Sequence, residues 1–338
     1  MKRMEQDTLA RLLSAYGLGQ GDVTYLGGGR EDSDGIVYTC QYGGQLVALK
    51  LMAWEESADR FADTCARHTL RLRFAGMLLQ GGAPVLGPVP DGDGLLWRAS
   101  HAGDAGYITY LMPLAAGRNV PPDAWDEGFL RRWGAAIGRM HRLTVGYEDG
   151  FRCAAQDSTG QPLLGWQREL RDFWALCKDG DVKDRWLDVE RRLLALPQER
   201  DSFGLIHNDP HVQNVLDDGQ TLAVIDFDVA NYHWFVTDLS IALQSVLFMA
   251  SGGMERPLQD GEALVRFLQH LLAGYRQEHD LPAHWLEQLD LFLHYRRLLL
   301  FTVMQDWLAT APDARAGWKQ MILNEPAVVR PLVERAAL

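Results

Sequence analysis

The sequence predicts an α+β chain in two lobes, a small strand-rich N-terminal lobe and a larger, mostly helical C-terminal lobe. Three observations predict it. Short β-rich runs broken by glycine turns fill the region from Val23 to Met112, and helical periodicity dominates after Pro121. Strands followed by runs of helices mark the α+β class. The segment 113–119, rich in small residues, separates the two regions and reads as a hinge, so lobes are expected at 1–112 and 113–338. A chain of 338 residues, 47% hydrophobic, can bury one large core or two medium ones.

In the first lobe, MKRMEQDTLARLLSAYGL reads as a helix; its acids and short apolar run do not suit a signal peptide. Val23-Thr24-Tyr25 and Ile36-Val37-Tyr38 read as strands around the loop 26–35, where Gly27, Gly28 and Gly29 permit positive φ and close backbone approach. The loop is not G-x-G-x-x-G, its acids Asp32 and Asp34 are poor neighbours for a triphosphate, and no G-x-x-x-x-G-K-[ST] segment exists, which disfavours a P-loop. The strand at Val47-Ala48-Leu49-Lys50 alternates, so Val47, Leu49 and Leu51 face one side while Ala48 and Lys50 face the other. A helix over 58–80, a turn at 81–85, and strands at 95–97 and 107–112 complete the lobe. In the second lobe helices are expected from Asp123 or Asp126, over 163–177, over 185–196, over 239–250, and in three apolar-periodic segments after Gln259. The helix with Phe129, Trp133, Ile137 and Met140 on one face ends at His141, which reads as structural.

The chemistry concentrates in HNDPHVQN, 207–214, and AVIDFDVA, 223–230. The apolar run Phe203-Gly204-Leu205-Ile206 leads into the first, and Asp218-Gly219 is a hairpin signal that returns the chain to the second. Asp209 stands where it can orient an acceptor hydroxyl and take its proton. Asn214, five positions on, and Asp226 are hard oxygen donors suited to Mg²⁺. The spacing matches H-R-D-x-x-x-x-N plus D-F-G, the phosphoryl-transfer arrangement in which positioning and charge neutralisation carry the catalysis. Asp, Asn and Gly are also ordinary turn residues. The second motif at hairpin distance, and a V-A-I-K-like Lys50 upstream, lift the reading above a turn. Lys50 alone would be a surface lysine; in this order it reads as a phosphate ligand, with Ala48 leaving room for an adenine ring.

Together VALK at 47–50, IGRMHRL at 137–143, HNDPHVQN, VIDFDVA at 224–230 and the DLSIAL run from Asp238 resemble the aminoglycoside phosphotransferase and choline kinase superfamily, with its protein-kinase-like fold. The chain is similar in particular to homoserine kinases of the second type and RdoA-type kinases. The resemblance implies Asp209 as the catalytic residue, Asn214 and Asp226 as metal ligands, and Lys50, Gly28, Gly29 and Ala48 as nucleotide-binding residues. It implies His207 as a brace of the catalytic loop. Asp238 would accept hydrogen bonds from that loop's backbone, or simply cap the helix over 239–250. The sequence departs from the family in two places. Asn208 fills the usual glycine place, which is conservative if the backbone is left-handed there. The helix over 58–80 has no Glu to pair with Lys50; Asp63 or Glu56 could, or the pair is absent.

The implied reaction is transfer from ATP, with GTP possible, in the presence of Mg²⁺, to a hydroxyl of a small cationic molecule: an aminoglycoside, an amino alcohol or a homoserine-like compound. The short segment from Phe227 to Thr237 has no Ala-Pro-Glu and disfavours a peptide platform. A Ser/Thr protein kinase of the RdoA type, or a catalytically weak nucleotide-binding regulator, is the alternative. Asp228, Tyr232 and Trp234, with His233 beside them, are candidate substrate contacts. So are the acids of the last helices, Asp260, Glu262, Glu278, Asp280, Glu287, Asp290 and Asp306, though each alone reads better as a solvated helix face. Carboxylates with aromatics suit an ammonium group.

The net charge of −12 argues against nucleic acid as a partner. Cys40, Cys65, Cys153 and Cys177 are widely spaced, as reduced thiols in a cytoplasmic protein would be. No stretch approaches a membrane span, and there is no internal repeat. Oligomeric state is not legible.

Overall fold

Alternating burial along a single strand organises the first part of the chain. In a computed structural model that describes residues 6–28, 35–55, 58–102, 105–146, 156, 160, 162–251 and 261–331, Val47, Leu49 and Leu51 of strand β3 (Gln45–Glu55) are buried with Leu12, Leu13 and Tyr16 at helix α1 (Gln6–Ser14). Ala48 and Lys50 are half-buried on the opposite face. Further along that face, Met52 is buried with Phe61 and Leu72 of α2 (Ala58–Gln80). Removing these side chains from water on both faces is what holds the sheet between two helices.

The sheet runs β1-β2-β3-β5-β4, adding β1 (Val23–Gly28), β2 (Gly35–Tyr42), β4 (Arg98–Ala102) and β5 (Ala105–Pro113), with every neighbouring pair antiparallel. The fourth strand lies later than the expected 95–97. The reason is a local competitor: the Asp91 carboxylate accepts from the amides of Asp93 and Leu95, both at 2.9 Å, and closes a turn there. Its other oxygen binds Arg98 Nε at 2.6 Å, so the strand begins only at Arg98.

The chain divides into two compact units between Ala116 and Gly117. The second unit holds α3 (Glu127–Gly146), α4 (Trp166–Leu176), α5 (Gly180–Leu194), α6 (Val236–Ser251), α7 (Gly261–Tyr275), α8 (Leu289–Val303), α9 (Gln305–Thr310) and α10 (Pro312–Asn324). Asp126, one of the two expected starts, caps α3 by accepting from Phe129 N at 2.7 Å. Helix α5 starts five residues before the expected 185, because the Asp179 carboxylate accepts from Val182 N and nucleates it there. Helices α3 and α7 touch backbone to backbone: a Cβ on Gly134 would lie 1.9 Å from Leu271 O, and one on Gly274 would lie 2.0 Å from Arg131 O.

Two small antiparallel ladders carry the motif segments. One pairs β6 (Phe203–Ile206) with β9 (Asn231–Trp234), the other β7 (Val215–Asp217) with β8 (Leu222–Val224). Gly219, at φ 92°, turns the second hairpin, and Asp218 accepts from the amides of Gln220 and Thr221 to close it. Among the described residues Cys40, Cys65 and Cys177 form no disulfide; Cys153 lies outside them. No helix among them is long and apolar enough to cross a membrane.

Candidate active site

Strand β6 ends at Ile206 and delivers His207, Asn208 and Asp209 in succession. Asn208 has φ 66°, the left-handed conformation that Asn tolerates better than most residues. That turn directs its backbone amide inward. The buried Asp238 carboxylate accepts from Asn208 N at 2.8 Å and from His207 N at 3.2 Å. Its second oxygen also meets His141 Nε2 at 3.1 Å. His141 lies flat against Phe235, with ring centroids 4.4 Å apart, and its Nδ1 is 2.9 Å from Tyr275 Oη. Asp238 is not the cap of its helix: α6 begins at Val236, so Asp238 sits in the first turn and spends its oxygens on the loop.

His207 is fully buried, and its two ring nitrogens have defined roles. Nδ1 accepts from Asp209 N at 3.2 Å, which leaves the proton on Nε2, where it is donated to Ile225 O at 2.9 Å. One imidazole thus ties the Asp209 segment to the residue before Asp226. The side chain of Asn208 donates to Glu169 Oε2 at 2.7 Å and to Val229 O at 3.1 Å. Glu169 of α4 also accepts from Asn231 Nδ2 at 3.0 Å and from Tyr295 Oη. Burial first, then the Glu169 carboxylate, pushes the Tyr295 phenol well above its ordinary value, so it stays a donor.

Asn214 donates from Nδ2 to Asp209 O at 2.9 Å, and less closely to Asp209 Oδ2 at 3.4 Å. This fixes the amide orientation and points Oδ1 away from Asp209. Its backbone carbonyl accepts from Ile225 N at 3.0 Å, so the hairpin places Asn214 beside the Asp226 segment. Asp226 has φ 71°, a strained conformation for a non-glycine residue, of the kind that clusters at functional sites. Asn119 braces the same loop from the start of the second unit, donating to Gln213 O at 2.7 Å and Val215 O at 3.0 Å.

The Asp209 carboxylate is engaged on both oxygens. Oδ1 binds the guanidinium of Arg296 from α8, and Oδ2 lies 3.3 Å from His211 Nε2. Burial alone would raise its pKa, but the Arg296 charge, with His211, outweighs burial and holds it at about 2. Arg296 is absent from the sequence-level expectations. The available signal was a polar run, His294-Tyr295-Arg296-Arg297, inside an otherwise apolar helix. Glu169 and Asn119 were missed as well, and nothing in their local sequence marks them.

The other expected residues divide. Asp228 and Tyr232 are half-buried, with Asp228 N at 3.4 Å from Asp226 Oδ1. Trp234 does not belong with them: it is fully buried, its indole donates to Pro197 O at 2.7 Å, and it packs on Phe203 and Phe292. Its neighbour His233 is equally buried. Three expected acids of the last helices have structural partners: Glu278 pairs with Arg139 and Arg142, Asp306 with Lys178, and Asp290 accepts from the amides of Val328, Val329 and Arg330. Asp260 lies outside the described residues.

In the first unit, Lys50 pairs across β3 with Val37 and Tyr110. A Cβ on Gly35 would lie 2.9 Å from Lys50 Cε, so the glycine gives the lysine stem its path. Gly28 has φ 83°, and a Cβ there would lie 2.1 Å from Gly35 O; only glycine closes the neck of this loop. Gly29 and Glu56 lie outside the described residues, and Asp63 is half-buried on α2.

A profile of the phosphotransferase enzyme family (APH) matches residues 70–285. The chain belongs to the phosphotransferase enzyme family. This phosphotransferase is 28% identical over 305 residues to amicoumacin kinase of Bacillus subtilis (strain 168), an alignment covering 89% of this chain and 84% of that relative. Among solved structures it is similar to an amicoumacin kinase in complex with AMP-PNP, Ca²⁺ and Ami, at TM-score 0.80 and 24% identity, over 97% of this chain and 95% of that one. It is also similar to a microcompartment-associated aminopropanol kinase, at TM-score 0.67 and 18% identity, over 94% and 98%. At those identities the structural likeness is one of fold, and it is the fold of kinase-like phosphotransferases.

Proposed function

We propose that this phosphotransferase moves the γ-phosphoryl group of ATP, taken as its Mg²⁺ complex, to a hydroxyl of a small molecule. Amicoumacin-like compounds, aminoglycosides and amino alcohols are the acceptor classes to test first. The observation that carries the reading is the arrangement of Asp209, Asn214 and Asp226 on one hydrogen-bonded loop system anchored by Asp238. Phosphoryl transfer asks for little besides oriented oxygens and neutralised charge, and that is what this loop offers.

Residues present fit a divalent cation. Asn214 Oδ1 is turned outward by its own Nδ2 bonds, and Asp226 adds a carboxylate, the one or two protein oxygens that Mg²⁺ takes when phosphates supply the rest. When bound, the cation neutralises phosphate charge. Asp209 accepts the hydrogen bond of the acceptor hydroxyl and orients it. A carboxylate held near 2 is a weak base, so its contribution is orientation and fixed charge more than early proton removal. Lys50 serves the nucleotide phosphates, with Gly28 at the neck of the loop beside them, and Ala48 leaves room for the adenine ring.

A small-molecule acceptor is favoured over a peptide because the segment after Asp226 is fully used. Residues 231–234 form β9 and pair with β6, and α6 begins at Val236, leaving no free stretch for a peptide platform. The test is ADP release in a coupled assay over amicoumacin A, aminoglycosides, amino alcohols and homoserine, with a Ser/Thr peptide library as the opposing arm. Turnover of the peptides at comparable efficiency, with none of the small molecules, sinks the proposal.

A further inference from the structure

We propose that Arg296 is a specificity-determining residue that reads a carbonyl-type oxygen on the acceptor, so that the preferred substrate is a hydroxy amide or hydroxy acid. This rests on the phosphotransfer reading and deepens it. Arg296 projects from α8 to Asp209, 87 positions away in sequence. Its pose is set from two sides: Nη2 donates to Asp209 Oδ1, and Nε donates to Gln244 Oε1 of α6 at 3.3 Å. A guanidinium has five N–H donors in a fixed fork. These two bonds use two of them, and no described residue accepts the remaining three.

The Arg296 side chain is only 11% exposed. Its remaining N–H groups are not among the buried unsatisfied donors, so they stay open to a bound acceptor. They are also well shaped for one, because the planar fork matches a carboxylate or amide oxygen and is held at the carboxylate that receives the hydroxyl. The same contact bears on charge. Arg296 already compensates Asp209, so an ammonium group next to the reactive hydroxyl would meet a fixed like charge, whereas a carbonyl oxygen would not. A cationic group on the acceptor must then lie away from this point. The face of α8 beyond Arg296 presents Leu300, half-buried, and Val303, exposed, at helical spacing, so probes with an apolar arm suit it.

Three probes share a terminal hydroxyl and an aromatic arm: N-benzylglycolamide, which has the carbonyl; N-benzylethanolamine, in which a cationic amine stands without it; and the terminal alcohol phenylbutanol, which has neither. ADP release is measured for each, with amicoumacin A as reference acceptor, in the wild-type enzyme, Arg296→Gln and Arg296→Lys. The wild-type kcat/KM for the glycolamide is expected to exceed both others at least tenfold. Arg296→Gln should cut the glycolamide value at least tenfold more than the ethanolamine value, mainly through KM, and Arg296→Lys should restore part of the difference. If the ethanolamine is the better wild-type substrate, or if Arg296→Gln lowers all acceptors by one common factor, Arg296 serves Asp209 or the phosphoryl group and the inference is overturned. Turnover of amicoumacin A without that ordering overturns the inference alone. No turnover of any of the four, nor of the aminoglycosides, amino alcohols and homoserine named above, overturns the phosphotransfer reading as well.

Discussion

Asp209 works in a setting that makes it a permanent anion. The stabilisation it draws from Arg296 is present above the ordinary carboxylate range and is lost only as pH falls toward about 2. The acid limb of activity between pH 5 and 7 should therefore belong to another group. Replacing Asp209 by Asn keeps the shape and removes the charge. Turnover should fall by about 10² to 10⁴, the usual span for a positioned acid–base group, while nucleotide affinity in a direct titration stays close to wild type. Near-normal turnover in that variant would remove Asp209 from the chemistry. His233 makes the opposite kind of prediction. Burial lowers its pKa to about 3, and its Nδ1 accepts from Trp234 N and lies 2.6 Å from Thr237 Oγ1, so the neutral form is built in. An unfolded histidine takes a proton near pH 6.5. The stability from neutral His233 is thus complete above that value and drains away as pH drops from 6.5 toward 3. Changing His233 to Asn keeps an acceptor near the Nδ1 position but cannot titrate. Its thermal midpoint, although lower overall, should decline less steeply than wild type between pH 6.5 and 4.5; equal slopes would count against the assignment.

At the scale of elements, two junctions matter. Helices α3 and α7 approach so closely that Gly134 and Gly274 meet opposing backbone, which cannot yield as a side chain can. Gly134→Ala should cost about 3 kcal/mol, the upper end for overpacking, visible as a drop in denaturation midpoint with an unchanged denaturant slope. A cost near zero would mean that the helices separate freely. The hairpin that links Asn214 to Asp226 is the other junction. If Asp226 is the charged metal ligand proposed above, Asp226→Asn should weaken nucleotide binding more with Mg²⁺ than without it. Titrations in the two conditions decide this, and equal losses would exclude a metal role for Asp226.

For the whole molecule, the measurable consequence of nucleotide binding is stabilisation by mass action. Mg²⁺-nucleotide at about a hundredfold its dissociation constant should add about 2.7 kcal/mol to the folded state, and the thermal midpoint should rise accordingly. Lys50→Ala should abolish most of that rise at the same nucleotide concentration. A full rise in the variant would leave Lys50 as a surface lysine with no phosphate to bind. Three of the acids expected to line an acceptor pocket are engaged elsewhere: Glu278 by arginines, Asp290 by backbone amides and Asp306 by a lysine. An acid-rich helix is not by itself a cation site, since acids first satisfy the donors nearest to them.

Much was legible without coordinates because it depends on short range. The alternation that buries Val47, Leu49 and Leu51 while turning Lys50 away follows from the period of a strand. The left-handed turn at Asn208 follows from that residue's tolerance of positive φ, and the Asp218-Gly219 hairpin from its turn chemistry. Contacts across the chain were not legible, because no local pattern states which distant side chain will arrive. The burial of Trp234 depends on Phe203, Phe292 and the carbonyl of Pro197, and its sequence neighbourhood beside Asp226 suggested the reverse. Glu169 becomes a hub only because α4 is packed where Asn208, Asn231 and Tyr295 can all reach it. The sequence by itself determined the class of fold, the order of its elements and the loop that carries Asp209, Asn214 and Asp226, all of which are written in periodicity and spacing. Only the tertiary structure decided that Arg296 meets Asp209, because the position of a helix 87 residues away is set by packing of the whole second unit.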